Sequence, residues 1–232
     1  MRKIILAVAV GFGFGSSCAS AADLAPRPVF KAPPPVVAAF SWSGCYVGAQ
    51  VGYAWLRSPN SFSTTGADPF TPEANTDSNG AIAGGHLGCN YQTGQWVFGL
   101  EGDGEWSNLK GNDAGVATDN NELAALWMAS VRGRVGYAWE QSLFYVTGGV
   151  AFMGARSSIL DPTEQESVSK TLTGWTVGAG YEYAFTANWS ARIEYRYANF
   201  GTNDFAYPVN AYTERANDIS VQAVRLGVSY RF

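Results

Sequence analysis

Eleven charged side chains recur at every second position along several short segments of the chain. Alternating positions share one face of a β-strand, so each segment carries its charges on a single side. Arginines and carboxylates in such rows form ion pairs, exchange protons or line a path for ions. The residues are Glu101, Asp103, Glu105, Arg132, Arg134, Glu182, Arg192, Glu194, Arg196, Arg225 and Arg231.

The positions between the charges are apolar. In the last segment Val224, Leu226 and Val228 alternate with Arg225 and Gly227. An apolar row opposite a row of arginines is too polarised for a core strand of a soluble sandwich. The pattern is typical of a transmembrane β-barrel, which has lipid outside and a polar interior, or lumen, inside.

About eight segments of this kind follow one another. We therefore predict an all-β fold over 40–232: an eight-stranded antiparallel up-and-down transmembrane β-barrel with short periplasmic turns and long extracellular loops. The short connections are predicted near 93–94, 139–142 and 186–188. The long ones are predicted at roughly 57–79, 107–125, 154–172 and 198–219.

The eleven charges are predicted to line this lumen. Six arginines face five carboxylates, so the charges nearly cancel. An eight-stranded barrel is only wide enough for side chains to fill, and an unpaired buried charge is costly. We interpret the set as a structural salt-bridge network; a narrow ion pathway is the alternative.

The N-terminal segment has the pattern of a secretory signal peptide over 1–21. Arg2 and Lys3 precede a short apolar run, and Ala19-Ser20-Ala21 is an A-x-A cleavage site. Cleavage is predicted after Ala21, with Ala22 as the nearby alternative. The Pro/Ala-rich residues 22–39 are predicted to form an extended periplasmic spacer.

Composition narrows the possible functions. Of the 232 residues, 47% are hydrophobic and 15% are charged. The net charge is −4, so the sequence gives no reason to expect binding to nucleic acid. The one histidine, His86, is predicted to face the lumen and has no partner set for a metal or a nucleophile. We predict no catalysis, cofactor or metal.

Two cysteines remain once Cys18 leaves with the signal peptide. Export places them in an oxidising compartment, and a symmetric first hairpin puts Cys45 opposite Cys89. A disulfide and two separate lipid-facing thiols are both compatible with this pattern.

Aromatic side chains cluster near the predicted strand ends. Such a distribution indicates membrane-interface girdles, although ordinary strand propensity is the alternative. The residues predicted to face outward are Trp42, Tyr53, Trp55, Trp96, Trp106, Tyr137, Trp139, Trp175, Tyr183, Trp189 and Tyr197.

Several short motifs together resemble the RopB-type small outer-membrane proteins of alphaproteobacteria. They are Ala22-Asp23-Leu24 with the Pro-rich spacer, Trp42-Ser43-Gly44-Cys45-Tyr46-Val47-Gly48, Gly84-Gly85-His86-Leu87-Gly88, Gly102-Asp103, Arg132-Gly133-Arg134-Val135-Gly136-Tyr137-Ala138, Tyr145-Val146-Thr147-Gly148-Gly149-Val150-Ala151, Gly174-Trp175-Thr176-Val177-Gly178-Ala179-Gly180, Glu194-Tyr195-Arg196-Tyr197 and Arg231-Phe232. Members usually carry aromatics at Cys45 and Cys89, so the resemblance does not support a disulfide. It implies an abundant surface protein with roles in envelope integrity and host contact. Some relatives are tethered to peptidoglycan, here through Ala22.

The expected function is therefore structural and interactive, with a narrow porin or a surface receptor, for example for haem, as alternatives. Expected partners are outer-membrane lipid, lipopolysaccharide and the barrel-assembly machinery. The terminal Tyr230 and Phe232 resemble the signal that this machinery reads. The last strand must also pair with the first near Tyr46 to close the sheet.

Overall fold

The computed structural model describes residues 40–63, 71–109, 120–160, 165–207 and 212–232. The predicted signal peptide (1–21) and spacer (22–39) lie outside these residues. The cleavage site at Ala21 or Ala22 and the peptidoglycan tether therefore stay predictions.

The described chain is a meander of antiparallel strands that closes on itself. Consecutive strands pair, and β1 also pairs with β10, from Tyr46 opposite Arg231 to Arg57 opposite Ser220. Eight strands, β1 to β7 and β10, form this closed barrel, which confirms the predicted fold. The strands are β1 Gly44–Ser63, β2 Thr71–Thr93, β3 Trp96–Leu109, β4 Asn120–Trp139, β5 Ser142–Leu160, β6 Gln165–Ala184, β7 Trp189–Asn199, β8 Asn203–Tyr207, β9 Tyr212–Ala216 and β10 Ser220–Arg231.

Burial alternates along each barrel strand with the period of two that the sequence predicts. Inward side chains are buried, whereas outward apolar side chains such as Leu87, Leu100 and Val131 are more than 60% exposed. The core of the protein therefore lies inside the barrel, and its outer surface is apolar. No helix within the described ranges is long and apolar enough to cross a membrane.

The two ends of the barrel differ. At one end, here called the turn end, the connections are only 94–95, 140–141 and 185–188. At the other end, β1, β2, β4, β5 and β6 run beyond the points where β3, β7 and β10 stop pairing. These extensions, together with β8 and β9, are here called the crown.

The crown contains more strand than the sequence predicts. The predicted loop 57–79 was wrong in extent, because β1 continues to Ser63 and β2 begins at Thr71; likewise, β5 and β6 extend far into the predicted loop 154–172. Backbone pairing does not need an apolar outer face, so the strands continue where the lipid-facing alternation ends. The sequence pattern marked the apolar part of each strand.

The crown is divided into two walls. In one wall β4, β5 and β6 are paired up to Asn120 opposite Leu160 and Gln165 opposite Leu160. In the other wall β2 pairs with β1, β1 with β9, and β9 with β8. No backbone ladder among the described residues joins β6 to β8 or β2 to β4.

The β8–β9 hairpin was predicted as part of the loop 198–219. Its Phe205 is buried at the base of the crown, and Arg215 Nε lies 2.8 Å from Asp204 Oδ1. The hydrogen bond from Arg215 lowers the pKa of the exposed Asp204 carboxyl below its usual range. The hairpin is thus anchored to the barrel by the β1–β9 ladder and by one buried ring, and the exposed ion pair joins its own two strands.

Trp42 was predicted to face outward, and that prediction is wrong. The side chain is 1% exposed and packs at the turn end of the lumen with Val97, Leu143 and Tyr145. Trp42 shares the even-numbered row of Tyr46, which faces inward along β1. Continuing that row past the first strand residue, Gly44, would have placed it correctly.

Close backbone packing around Gly84 leads to a testable prediction about stability. A Cβ on Gly84 would lie 2.0 Å from the carbonyl oxygen of Gly104, whereas a Cβ on Gly104 would meet nothing within 4 Å. We expect Gly84→Ala to lower the free energy of unfolding by about 1–3 kcal/mol, as overpacking does. Urea unfolding from lipid vesicles, followed by tryptophan fluorescence, measures the change.

Gly104→Ala is the matched control, on the adjacent strand, and should leave the unfolding midpoint within error of the parent. Equal destabilisation by both substitutions would show that the close approach at Gly84 does not set its effect.

Candidate functional site: the charged lumen

The middle of the lumen is occupied by ten of the eleven predicted charged residues. They come from five strands, and each is at least 93% buried. Five are arginines and five are carboxylates, so the set is formally neutral. They are Glu101, Asp103 and Glu105 on β3, Arg132 and Arg134 on β4, Glu182 on β6, Arg192, Glu194 and Arg196 on β7, and Arg225 on β10.

Ion pairs cross the lumen as well as joining neighbours. Arg132 Nη2 lies 2.6 Å from Glu101 Oε1 on the adjacent strand, while its Nη1 lies 2.7 Å from Glu194 Oε1 on β7. Glu101 also pairs with Arg192 of β7. Because β3 and β7 are not neighbours in the sheet, these contacts tie opposite sides of the wall together.

The remaining carboxylates are paired in the same way. Arg196 Nη1 lies 2.8 Å from Asp103 Oδ1, and Arg225 Nη2 lies 2.6 Å from Glu105 Oε2. Glu182 pairs with Arg134. Each of the five carboxylates thus contacts at least one arginine, which is the arrangement that buried charges require.

Neutral side chains complete the network, and sequence reasoning missed them. Tyr46 Oη donates to Glu101 Oε2 at 2.7 Å, and Tyr145 Oη donates to Glu194 Oε2 at 3.1 Å. Gln50 accepts from an arginine through Oε1 and donates to a glutamate through Nε2, both at 2.7 Å. All three occupy the inward row of their strands, so the alternation itself was the available signal.

The eleventh residue, Arg231, was predicted in this network, and the structure places it elsewhere. Its guanidinium carbon lies 4.5 Å from the ring centroid of Phe40 and 5.3 Å from that of Trp42. Its Nη2 donates to the carbonyl oxygen of Ala187 at 2.7 Å. Arg231 is inward-facing but sits at the turn end, where aromatic rings replace carboxylates as its neighbours.

Apolar clusters close both sides of the charged layer. At the turn end Trp42 packs with Val97, Ala138, Leu143, Tyr145 and Ala184. At the crown end a larger cluster includes Leu56, Met153, Leu172, Phe200 and Phe205. A cavity of about 10 Å³ beside Arg196 and Arg225 has room for one water molecule.

His86 faces the lumen, as predicted, and is 3% exposed. Its Nε2 lies 2.8 Å from Ser229 Oγ, which fixes the ring between β2 and β10. The contact is a hydrogen bond in the wall of the charged layer.

Cys45 and Cys89 are directly opposite each other on β1 and β2 and are joined by a disulfide. Both face outward, and Cys89 lies four residues before the end of β2. The bond thus links the first two strands on the apolar surface near the turn end.

The chain matches a known family. The family model described as outer membrane protein beta-barrel domain matches residues 9–232. The chain belongs to this family. Membership places the apolar outer surface of the barrel in the outer membrane, facing lipid.

Relatives are similar along most of the chain. The 25 kDa outer-membrane immunogenic protein of Brucella abortus is 30% identical, covering 100% of this chain and 99% of that one. The 22 kDa outer membrane protein of Rhizobium leguminosarum is 34% identical over 85% and 82%. The solved outer membrane protein OprG from Pseudomonas aeruginosa shares the fold, with a TM-score of 0.51 at 11% identity, covering 82% of this chain and 96% of that one.

Removing one charge from the middle layer should be costly. Glu101→Gln takes one carboxylate from Arg132 and Arg192 and leaves a buried excess of positive charge. We expect the free energy of unfolding to fall by about 3–5 kcal/mol, since breaking a buried pair leaves an uncompensated ion. Urea unfolding in lipid vesicles measures the difference.

The matched control is Asp204→Asn, the same carboxylate-to-amide change in the exposed pair with Arg215. It should cost less than about 1 kcal/mol because solvent screens exposed ion pairs. A Glu101→Gln effect no larger than that of the control would contradict a stabilising role for the network.

Proposed function

We propose that this protein is a closed, non-catalytic barrel that supports the envelope and presents its crown to the host or environment. The crown is extracellular in this proposal, and the turn end, with both ends of the barrel, is periplasmic. Long connections outside and short turns inside are the usual asymmetry of outer-membrane barrels.

The filled lumen is the observation that carries the proposal. A neutral network of ten charged residues spans the barrel, and an apolar cluster lies on each side of it. A diffusion pore needs a continuous wet path, whereas these layers consist of packed side chains. Each carboxylate is paired with at least one arginine, which leaves these carboxylates poorly suited to proton transfer in catalysis.

The surface role is supported by the relatives. The Brucella proteins are described as outer-membrane immunogenic proteins, and the likeness runs the full length of this chain. Lipopolysaccharide would surround the crown end of the barrel, next to the exposed Trp55, Trp106 and Trp175. Such amphipathic rings are favoured where hydrocarbon meets headgroups.

Planar-bilayer recording tests the closed lumen. We expect the wild-type protein to give no steady nanosiemens openings, because a path through the charged layer opens only when ion pairs break. Steady openings of uniform size would replace this proposal with a narrow porin. A known porin, added to the same bilayers under the same conditions, is the control that an inserted channel is detected.

Assembly through the C-terminal aromatics is proposed as well. Tyr230 and Phe232 are exposed, and the Phe232 backbone N–H donates to the carbonyl of Cys45 at 3.2 Å, beside the closing seam. Deleting Phe232 should reduce the heat-modifiable, folded protein in the outer membrane several-fold. Semi-native electrophoresis of membrane fractions measures this amount.

Phe185→Ala is the control, since Phe185 is another exposed aromatic at the turn end but lies between β6 and β7. It should leave the folded amount near the parent level. Normal levels of the truncated protein would refute an assembly role for Phe232.

A further inference from the structure

The lipid-facing wall of the barrel carries a groove where β2, β3 and β4 lie side by side. Its floor consists of outward positions with little or no side chain: Gly85 on β2, Gly102 and Gly104 on β3, and Ala129 on β4. These positions adjoin one another, because Gly85 lies opposite Gly104 and Gly104 lies opposite Ala129. Four small residues thus leave one continuous patch of the wall without side-chain cover.

Larger apolar side chains surround this floor. Leu87 and Val131 flank Gly102 on the two neighbouring strands, and they are 65% and 61% exposed. Val47 on β1 and Phe152 on β5 stand at the two sides. The groove between them has a volume of about 520 Å³. The outward side chains that line it are all apolar.

The polar residues between these positions face the other way. His86, Asp103 and Ser130 alternate with the floor residues along β2, β3 and β4, and all three are buried. Inside the lumen, His86 bonds to Ser229, Ser130 donates to Asp103, and Asp103 pairs with Arg196. The groove is therefore apolar and separate from the charged layer behind it.

The groove lies in the crown half of the membrane-spanning wall. Along β3, Gly104 is two residues from the exposed Trp106 and eight residues from the exposed Trp96 at the turn end. A tilted strand advances about 2.5 Å per residue along the membrane normal, so the floor begins about 5 Å below the level of Trp106. Tryptophan rings favour the level of the lipid headgroups. The groove is thus at the depth of the acyl chains of one leaflet.

Lipid is the neighbour of this surface. Membership of the outer-membrane family places the wall against hydrocarbon, and the groove is continuous with the exposed apolar side chains around it. Lipid chains are as apolar as the wall, so retention of a chain depends on van der Waals packing. A chain on a convex wall is contacted from one side, whereas a chain in the groove is contacted from below and on both flanks. The number of dispersion contacts rises accordingly.

From this geometry we propose that the groove is a binding site for one acyl chain of a membrane lipid in the crown-side leaflet. From Val47 to Phe152 the groove crosses four strand spacings, about 19 Å. One leaflet contributes about 15 Å of hydrocarbon, so the groove is long enough for one chain. Recognition is of the chain and not of the headgroup, because the outward lining is apolar. The site is additional to the surface role proposed for the crown and does not depend on it.

Native mass spectrometry of the full protein, released from nanodiscs of dimyristoylphosphatidylcholine, tests the site. We expect a complex with one lipid that survives collisional activation sufficient to remove all other lipid. Gly104→Leu should lower the fraction of this complex about tenfold, because the new side chain occupies the groove. A Cβ on Gly104 meets nothing within 4 Å, so the wall itself accepts the substitution.

Gly133→Leu is the matched control. Gly133 also faces outward from the membrane-spanning wall, and the nearest atom to a Cβ there is the carbonyl oxygen of Gly148 at 3.8 Å. It does not line the groove. This variant should keep the one-lipid complex at the parent level. Leu87→Ala, which lowers one flank of the groove without adding bulk, should reduce retention about threefold. Semi-native electrophoresis establishes that each variant is folded.

No persistent one-lipid complex of the parent, or equal losses in Gly104→Leu and Gly133→Leu, would overturn the proposal. Phosphatidylglycerol with the same chains should be retained equally well, and retention of only one of the two headgroups would overturn recognition through the chain. A dimer that Gly104→Leu abolishes would identify a second copy as the occupant and would also overturn it. Conductance is measured independently, so none of these outcomes bears on the closed lumen.

Discussion

Every backbone N–H and C=O within the hydrocarbon needs a hydrogen-bond partner in the protein, and the rest of the structure depends on this requirement. Lipid offers no hydrogen-bond partners, so a spanning sheet must close on itself. The pairing of β1 with β10 achieves this with eight strands. Eight strands enclose a space that side chains fill, and the lumen is therefore a core. The neutral charge of that core follows from the same constraint.

Much of this was visible in the sequence because two-residue periodicity reports directly on the two faces of a strand. Ten of the eleven charged residues assigned to the lumen lie there, and the pair Cys45 and Cys89 lies in register. Trp42 was misplaced because the inward row of β1 was not continued past Gly44. Arg231 faces inward, but alternation alone does not show that its neighbours at the turn end are aromatic rings and a carbonyl group. The crown was underestimated because its outward side chains are polar, and strand pairing there depends on partners distant in the sequence.

The barrel and the crown differ in how well they tolerate substitutions, and the difference has a physical basis. Within the membrane, Glu101 contacts arginines from two strands, so a change at one position disturbs several partners. In the crown, the ion pair of Asp204 with Arg215 and the contact of Lys170 with the Asp204 carbonyl oxygen are exposed. The barrel therefore resists substitution, whereas the crown can vary its surface without unfolding the membrane domain. Such freedom would suit the surface role proposed for the crown.

The disulfide between Cys45 and Cys89 fixes the register of β1 and β2 covalently. β1 carries glycine at positions 44, 48 and 52, and glycine-rich strands specify their register weakly. A slip by one residue would turn Tyr46 and Gln50 out of the lumen and Val47 into it. Once the bond has formed, the first hairpin has a single alignment, and the last strand meets a defined edge at closure. Thiol oxidation before membrane insertion would thus set the alignment of β1 with β10. The redox state of the compartment would therefore affect how the barrel folds.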